Sequence, residues 1–543
     1  MRLPSVVWLL IDGLSQQLLN RLGGGDDFPF LQSCLAQGRT AALAPLAPNC
    51  QTPPSLFTIW SGTLPAEHGL TGYDIPCQEG DDPTRFCDGF ATWPRAIPMV
   101  WDRYAAAGKT IRTSAVPFMQ TDKLGAALLS ATDVFARPLL APEVHGDGDV
   151  LRLPQLELEW ELTRQGDDFI ARARGARAGQ AHDVAVRLDQ TVWLALPTDP
   201  ARAGGHTHQA LGVRCARVDG VPMLINLGYQ AVTVRGSDAA ARIAAGRDGG
   251  FVVANPGKLY HDGRLGRRLD QGGQGGAETL LVDLMHEVHL SFANDFRWAL
   301  RAGGADLVVL YYPVIDLLSH QILRYALDQH DDTRPGPLAP LFARVLGWLD
   351  GLLAEVATLV GSDTTVVAHS DHGMVPLYRQ IAPNRFFLEQ GVLAVCADTG
   401  RIDHQRAMMF LHPAENGLLV WHPERLREAG LSAEAVLARL DGLLLEQGVP
   451  PIRLVEGPRA ALAEVWQCSH YMQAPPGTRL RAGAAEPLLC DSKKGGDHTV
   501  CSDEPWLRGV LIDMSARYQP FAPAATLQLA DILSYVVSER SAA

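Results

Sequence analysis

A chain of 543 residues exceeds the usual size of one domain, so several domains or one core with insertions is expected. Apolar residues at 47% and charged residues at 20% are ordinary for a soluble globular protein. A net charge of −13 excludes a broad nucleic-acid footprint, which needs clustered Lys and Arg, but admits a small anionic substrate if metal ions supply the positive charge.

Met1 to Pro4 leads directly into an apolar run, Ser5 to Ile11, with Asp12 at its carboxyl end. The run is too short to span a bilayer and has no small-residue cleavage site, so it reads as a core strand and not a signal peptide. No membrane partner is expected. The nine cysteines are scattered and form no C-x-x-C pair, which predicts free thiols in a reducing compartment, the cytoplasm.

Leu14 to Leu22 carries apolar residues at helical spacing, stopped by Gly23-Gly24-Gly25. Asp12 could cap that helix or serve as a ligand at a strand end. Thr52, followed by Pro53 and Pro54, marks a helix amino terminus. It is either a plain cap or a hydroxyl nucleophile placed where backbone N–H groups favour a phosphoryl group, and in that second role it needs a metal or base beside it. A helix from Val100 to Ala107, a turn at Gly108 and a strand from Thr110 continue the β-α alternation.

From Asp149 the period changes. Leu156, Leu158, Trp160 and Leu162 alternate with Glu157, Glu159 and Glu161, and short strands follow at Val184–Leu188, Val192–Leu196 and Gly212–Leu227. Residues 145–240 therefore read as an antiparallel β insertion, with His206 and His208 in an exposed Gly-rich loop. Helical spacing returns at Ala277–Ala302. The H-E-V-H at His286 to His289 lacks the spacing of the helical zinc motif, so these histidines are structural.

A strand at Ala305–Tyr312 precedes Asp316 and His320, which are four apart and share one helix face. After a helix from Pro337 to Val360, the β-branched run Thr364–Val367 stops at Asp371-His372-Gly373, the pattern of a buried parallel strand delivering polar residues at its carboxyl end. Residues 381–485 mix short strands (Gly417–Trp421) with a helix (Ala433–Gln447). His498 lies in the Gly-rich loop Gly495–Val500, ahead of a strand at Leu507–Met514 and a helix from about Ala525 to Val537.

The fold class expected is α/β: a doubly wound, mostly parallel central sheet flanked by helices. Its core would comprise residues 1–144, 276–380 and 486–543, interrupted by a β-rich insertion and linker at 145–275 and a small cap-like α/β insertion at 381–485.

The chemistry-bearing residues are Asp12, Thr52, Asp316, His320, Asp371, His372 and His498. Three carboxylates and three histidines make two open three-ligand sites, the catalytic type, and a hydroxyl nucleophile beside two metals suits phosphoryl transfer. In this order the residues resemble the alkaline phosphatase superfamily, in particular its type I phosphodiesterase/nucleotide pyrophosphatase branch. The resemblance rests on L-I-D-G at Leu10 to Gly13, T-P-P-S-L-F-T-I-W-S-G-T-L-P-A-E-H-G at Thr52 to Gly69, D-L-L-S-H at Asp316 to His320, S-D-H-G-M at Ser370 to Met374 and G-D-H at Gly496 to His498.

The resemblance implies an alkaline phosphatase-like core and a two-metal phosphoric ester hydrolase acting on a small phosphate ester. Asp316, His320 and His498 would hold one divalent ion; Asp12, Asp371 and His372 would hold the other, with Thr52 coordinated as nucleophile and a phospho-threonine intermediate. Zinc is the usual metal, with manganese or iron as alternatives. Two positions depart from the branch. Tyr73 stands where an Asn often contacts a phosphate oxygen, and T-P-P-S replaces the more usual T-F-P-N. Cys50 is followed by Gln51-Thr52-Pro53-Pro54, which lacks the C-x-P-x-R of the sulfatase branch. A phosphomonoesterase on the same core, a phosphoglycerate mutase-like phosphotransferase and a binding protein without turnover are the other readings. The sequence is silent on oligomeric state.

Overall fold

The computed structural model describes residues 3–22, 27–77, 82–92, 96–132, 138–175, 183–194, 196, 206–245, 254–327, 336–499 and 503–537. Among them a sheet of thirteen strands forms the centre. Eleven strands make its path: β1 (Val6–Ile11), β2 (Thr40–Leu43), β3 (Ile111–Ser114), β4 (Leu128–Thr132), β5 (Thr191–Leu194), β6 (His206–Val218), β7 (Val221–Arg235), β8 (Leu307–Tyr312), β9 (Thr365–His369), β10 (Gly509–Asp513) and β11 (Thr526–Leu527). Their order across the sheet is β5-β6-β7-β4-β3-β8-β1-β9-β10-β2-β11.

The middle strands β4, β3, β8, β1 and β9 are parallel, and β10 runs antiparallel to β9 and β2. All six residues of β1 are buried, as an apolar run covered on both faces requires. Successive side chains point to opposite faces, which divides the core in two. Val7, Leu9, Ile11, Val308, Leu310 and Tyr312 pack with helices α3 (Gly276–Arg301) and α5 (Ala339–Leu359). Trp8, Leu10, Val309 and Tyr311 pack with Leu56, Phe57, Ile59 and Trp60 of α2 (Thr52–Ser61). Helices α1 (Gln16–Leu22) and α4 (Val314–Ile322) follow β1 and β8. The doubly wound, mostly parallel sheet expected from the sequence is the architecture observed.

The β-rich stretch divides into two parts. Val150–Leu153, Leu158–Gln165, Asp168–Arg174 and Val184–Val186 form a separate four-stranded antiparallel sheet, in which Leu158, Trp160 and Leu162 face inward as their alternation predicts. The β6–β7 hairpin instead pairs with β4, Val234 opposite Thr132, and so widens the central sheet. His206 and His208 lie on β6, opposite Val234 and Val232, and not in a loop. A long hairpin closed at Asp219-Gly220, both at positive φ, carries the pairing out to them. The Gly23–Gly25 stop lies outside the described residues.

The second insertion is a four-stranded sheet (Met409–Leu411, Leu418–Trp421, Gln467–Gln473, Arg453–Glu456) with its own core against the helix Ala433–Glu446. One cysteine expectation is corrected. Cys77 and Cys87 form a disulfide that closes the hairpin of Asp74–Pro76 and Phe86–Asp88, a pairing between neighbouring strands that spacing alone does not reveal. Cys34, Cys50, Cys215, Cys396, Cys468 and Cys490 form no disulfide among the described residues. Among the described residues no helix is long and apolar enough to cross a membrane.

Candidate active site

Three adjacent parallel strands, β8, β1 and β9, release polar residues at one edge of the sheet, the end where ligands collect in open α/β folds. Asp12 follows β1, Asp371 and His372 follow β9 after Ser370, and Asp316 sits on the first turn of α4, with His320 one turn on. The loop after β1 is drawn tightly onto α4. Gly13 has φ of 71°, and a Cβ there would sit 2.9 Å from Asp316 Cα, so only glycine fits. His498 arrives from the far end of the chain, after the short strand Gly496–Asp497.

The structure brings all seven sequence-derived residues together, with Tyr73 at the rim. Donor atoms of Asp12, Asp371 and His372 lie within 4.8 Å of one another, as do those of Asp316, His372 and His498. His372 is common to both groups because its ring stacks on His498 at 3.7 Å. His320 Nε2 is 3.4 Å from Asp316 Oδ1, and His498 Nε2 is 3.5 Å from the same oxygen.

Each imidazole is held by a backbone carbonyl: His372 Nδ1 by Gly373 O at 3.0 Å, His320 Nδ1 by Gly496 O at 2.9 Å, and His498 Nδ1 by Cys50 O at 3.1 Å. A carbonyl only accepts, so each Nδ1 carries the proton and each Nε2 lone pair faces the cluster, as in metal-ligating histidines. Asp371 Oδ1 accepts from Gly13 N and His372 N, and Tyr311 OH donates to Asp12 Oδ2. The other oxygens, Asp12 Oδ1, Asp371 Oδ2 and Asp316 Oδ1, are buried without a hydrogen-bond partner, as is His498 Nε2.

Buried carboxylate oxygens left unpaired are costly, and the titration behaviour says the same. Burial pushes Asp12 up to about 7, against the lowering hydrogen bonds of Tyr311 and Asp371. It pushes Asp316 and Asp371 well above the carboxylate range. Burial also lowers His320 and His498 to about 3 and takes His372 well below its ordinary value. Inward-facing hard oxygens and neutral imidazole nitrogens, short of positive charge, are a donor set that fits divalent cations.

Thr52 is the first residue of α2 and fully buried. Its Oγ1 lies 3.2 Å from His372 Nε2 and 2.7 Å from Tyr73 OH. Pro53 and Pro54 carry no N–H, and Ser55 N already donates to Gln51 O at 3.1 Å. Of the first-turn donors, only the Thr52 N–H is therefore left for a ligand. Tyr73 is 36% exposed, yet its hydroxyl is sunk at Thr52. Burial, then the Asp316 and Asp12 carboxylates, hold that phenol well above its ordinary pKa, so it remains a donor. Gln51 Oε1 fixes the Tyr73 backbone N–H at 2.7 Å, and Phe90 meets its ring edge-on.

The model of the type I phosphodiesterase / nucleotide pyrophosphatase family matches residues 6–196 and 241–480. The chain belongs to this family. It is a hydrolase of phosphoric ester bonds, in a family that typically depends on divalent metals. No curated protein sequence matches it. Among solved structures, murine ectonucleotide pyrophosphatase / phosphodiesterase 5, in an inactive form with AMP, is 10% identical with a TM-score of 0.46, over 98% of this chain and 94% of that one. Phosphonoacetate hydrolase from Sinorhizobium meliloti 1021, with phosphonoacetate, is 14% identical with a TM-score of 0.47, over 99% and 95%.

Within the phosphodiesterase fold, sequence reasoning missed Tyr311, Lys494, Arg479 and Asp497. Arg479 Nε faces Asp497 Oδ2 at 3.2 Å. Burial raises the Asp497 carboxyl, but Arg479 and Lys494 outweigh it and hold the group well below its usual range. Parity along β8 could have found Tyr311, since it shares a sheet face with Trp8 and Leu10, below Thr52.

Proposed function

We propose that this phosphodiesterase-family enzyme cleaves a small phosphate diester through a phospho-threonine on Thr52, with two divalent cations, most simply zinc. Asp12, Asp371 and His372 would hold the cation next to Thr52, and Asp316, His320 and His498 the other. Cations in those places would favour ionisation of the Thr52 hydroxyl and offset negative charge on the phosphoryl oxygens. The observation that carries the reading is the contact of Thr52 Oγ1 with His372 Nε2 inside the Asp12/Asp371 cluster.

Thr52 Oγ1 attacks phosphorus from the floor of the site. Its proton leaves to solvent, and the departing oxygen takes the electron pair of the broken P–O bond. The phospho-threonine keeps the second ester group of the diester, and water then cleaves the Thr52–phosphorus ester to release a phosphate monoester, so one water is consumed overall. The Thr52 N–H and the Tyr73 hydroxyl donate to non-bridging oxygens. Because two prolines strip α2 of first-turn donors, Tyr73 carries more of this task than a side chain at such a helix end otherwise would.

Thr52→Ala is expected to lower kcat/KM by about 10³-fold or more while metal content stays near two ions per chain. Near-normal turnover would remove Thr52 from the role. A panel of a bis-aryl phosphate, a nucleotide aryl ester and an aryl monophosphate separates the diesterase from the monoesterase alternative. The compartment is part of the same proposal. Scattered cysteines favour the cytoplasm, the Cys77–Cys87 bond favours an oxidising compartment, and cell fractionation decides.

A further inference from the structure

Tyr73, whose hydroxyl lies beside Thr52, stands at the foot of the hairpin that Cys77 and Cys87 close. The hairpin pairs Asp74 with Asp88, Ile75 with Cys87 and Pro76 with Phe86. Its two strands pair with no other strand among the described residues, and a two-stranded ribbon alone is marginal in water. Two features weaken it further. Pro76 has no N–H to give to the ladder. At the end next to Tyr73 two carboxylates face each other: burial raises Asp74, and the charges of Asp88 and Glu415 raise it more. Like charges directly opposite push strands apart. The Cys77–Cys87 bond is the covalent tie that resists this opening.

What the two arms hold is the Tyr73 ring. Tyr73 O accepts from Gly89 N at 2.5 Å, and a Cβ on Gly89 would sit 2.2 Å from Gly72 O, so the returning arm lies hard against the residues around Tyr73. Phe90 follows, meeting the Tyr73 ring edge-on with centroids 5.7 Å apart and resting on Phe118 at 5.3 Å. Cys87 lies just ahead of Gly89 and Phe90, and Cys77 one strand beyond Tyr73. The bond therefore fixes both arms close to the contact that aims the phenol at Thr52.

The bond is also placed where a thiol can reach it. Cys77 and Cys87 are half-buried, whereas Cys34, Cys50, Cys215 and Cys468 are buried. Burial lifts the Cys34 and Cys215 thiols to about 11 and raises Cys468 as well, which leaves them inert. A reachable disulfide across a weak ribbon is of the labile, regulatory kind. We propose that Cys77–Cys87 is a thiol-exchange site that sets the catalytic rate through Tyr73: the bond holds the phenol at Thr52, and its reduction by a dithiol lets the hairpin open and withdraws that donor. This rests on the reading of Tyr73 as a donor to the phosphoryl group. One thiolate of the dithiol attacks a sulfur of the bond, and the other cysteine leaves as a thiolate. The second thiol of the reagent then breaks the mixed disulfide. The reagent departs as its own disulfide, two electrons pass to the protein, and the two cysteine sulfurs take the protons that the dithiol gives up.

The test compares the disulfide form with enzyme reduced by dithiothreitol, freed of reagent by anaerobic gel filtration and brought back to the same metal content. Reduction is expected to lower kcat about tenfold, the loss expected of Tyr73→Phe, and reoxidation with a disulfide reagent to restore it. Cys77→Ser/Cys87→Ser should match the reduced enzyme and ignore dithiothreitol. In Tyr73→Phe, reduction should change kcat less than about twofold, because the group it displaces is already gone. A disulfide that only stabilised the fold would lower the unfolding temperature alike in both backgrounds and spare kcat. Unchanged kcat with both thiols shown free by alkylation and mass spectrometry, or an equal further loss in Tyr73→Phe, would overturn the proposal. If the double serine variant does not fold, the reduced and reoxidised wild type carries the test. Full kcat in Tyr73→Phe would remove the donor reading and the switch with it, whereas a slow Tyr73→Phe beside an unresponsive wild type would remove the switch alone.

Discussion

The floor of the site and its rim are built in different ways. The floor, Asp12, Asp316, Asp371 and His372, hangs from three neighbouring parallel strands and is buried. The rim is assembled from distant pieces: Tyr73 on a hairpin closed by Cys77–Cys87, Glu415 and Arg479 from the second insertion, and Lys494 from the C-terminal loop. The floor's geometry follows from sheet register, which fixes which atoms meet. The rim's geometry follows from docking between segments, which can change without disturbing the sheet. The floor therefore suits the shared chemistry of the family, and the rim suits selection among substrates.

If that division holds, damage beneath the floor should cost metal, and damage at the rim should cost rate alone. Tyr311→Phe removes the phenol that occupies Asp12 Oδ2 and leaves Asp12 free to rotate. We expect metal affinity about 10- to 100-fold weaker, read by chelator competition, with the unfolding temperature of the metal-loaded protein little changed. Unaltered affinity would show that register alone orients Asp12. Tyr73→Phe should lower kcat by about tenfold, one hydrogen bond's share in the transition state, with metal affinity unchanged. A fall in metal affinity would place Tyr73 with the floor.

Chelation offers a smaller and more graded effect. Burial raises Asp12 to about 7 from an ordinary value of 3.8, so the metal-free folded state binds the extra proton between those values. Its stabilising share is fully present below about 4 and is lost as pH rises through about 7. The unfolding temperature of the chelated protein should therefore decline across that window, and divalent cation should restore it most at the alkaline end. A flat profile would mean that the carboxylates are relieved by something other than cations.

The same division explains how much was legible in the sequence. Asp12, Asp316, Asp371 and His372 could be read because each follows an apolar run, so a local pattern marks its place at a strand end. Thr52 carried its own signal in the two prolines that open α2. Tyr311 was hidden because a tyrosine inside an apolar strand looks like any core residue. Lys494, beside Lys493, looks like an ordinary solvated pair. The Cys77–Cys87 bond and the pairing of β7 with β4 depend on contacts between segments that no local period announces. The sequence places His206 and His208 in a loop for the same reason: the glycines before them are a local signal, whereas their strand is fixed by its partner.

The central claim is that Thr52 becomes covalently phosphorylated. Acid-quenching the metal-loaded enzyme milliseconds after mixing with a reactive aryl phosphate diester, then mapping peptides by mass spectrometry, tests it most directly. The account predicts an adduct on Thr52 that consists of the phosphoryl group with the ester substituent that does not depart, and that disappears in Thr52→Ala. Steady turnover with no adduct on Thr52, or an adduct on a different side chain, would contradict it.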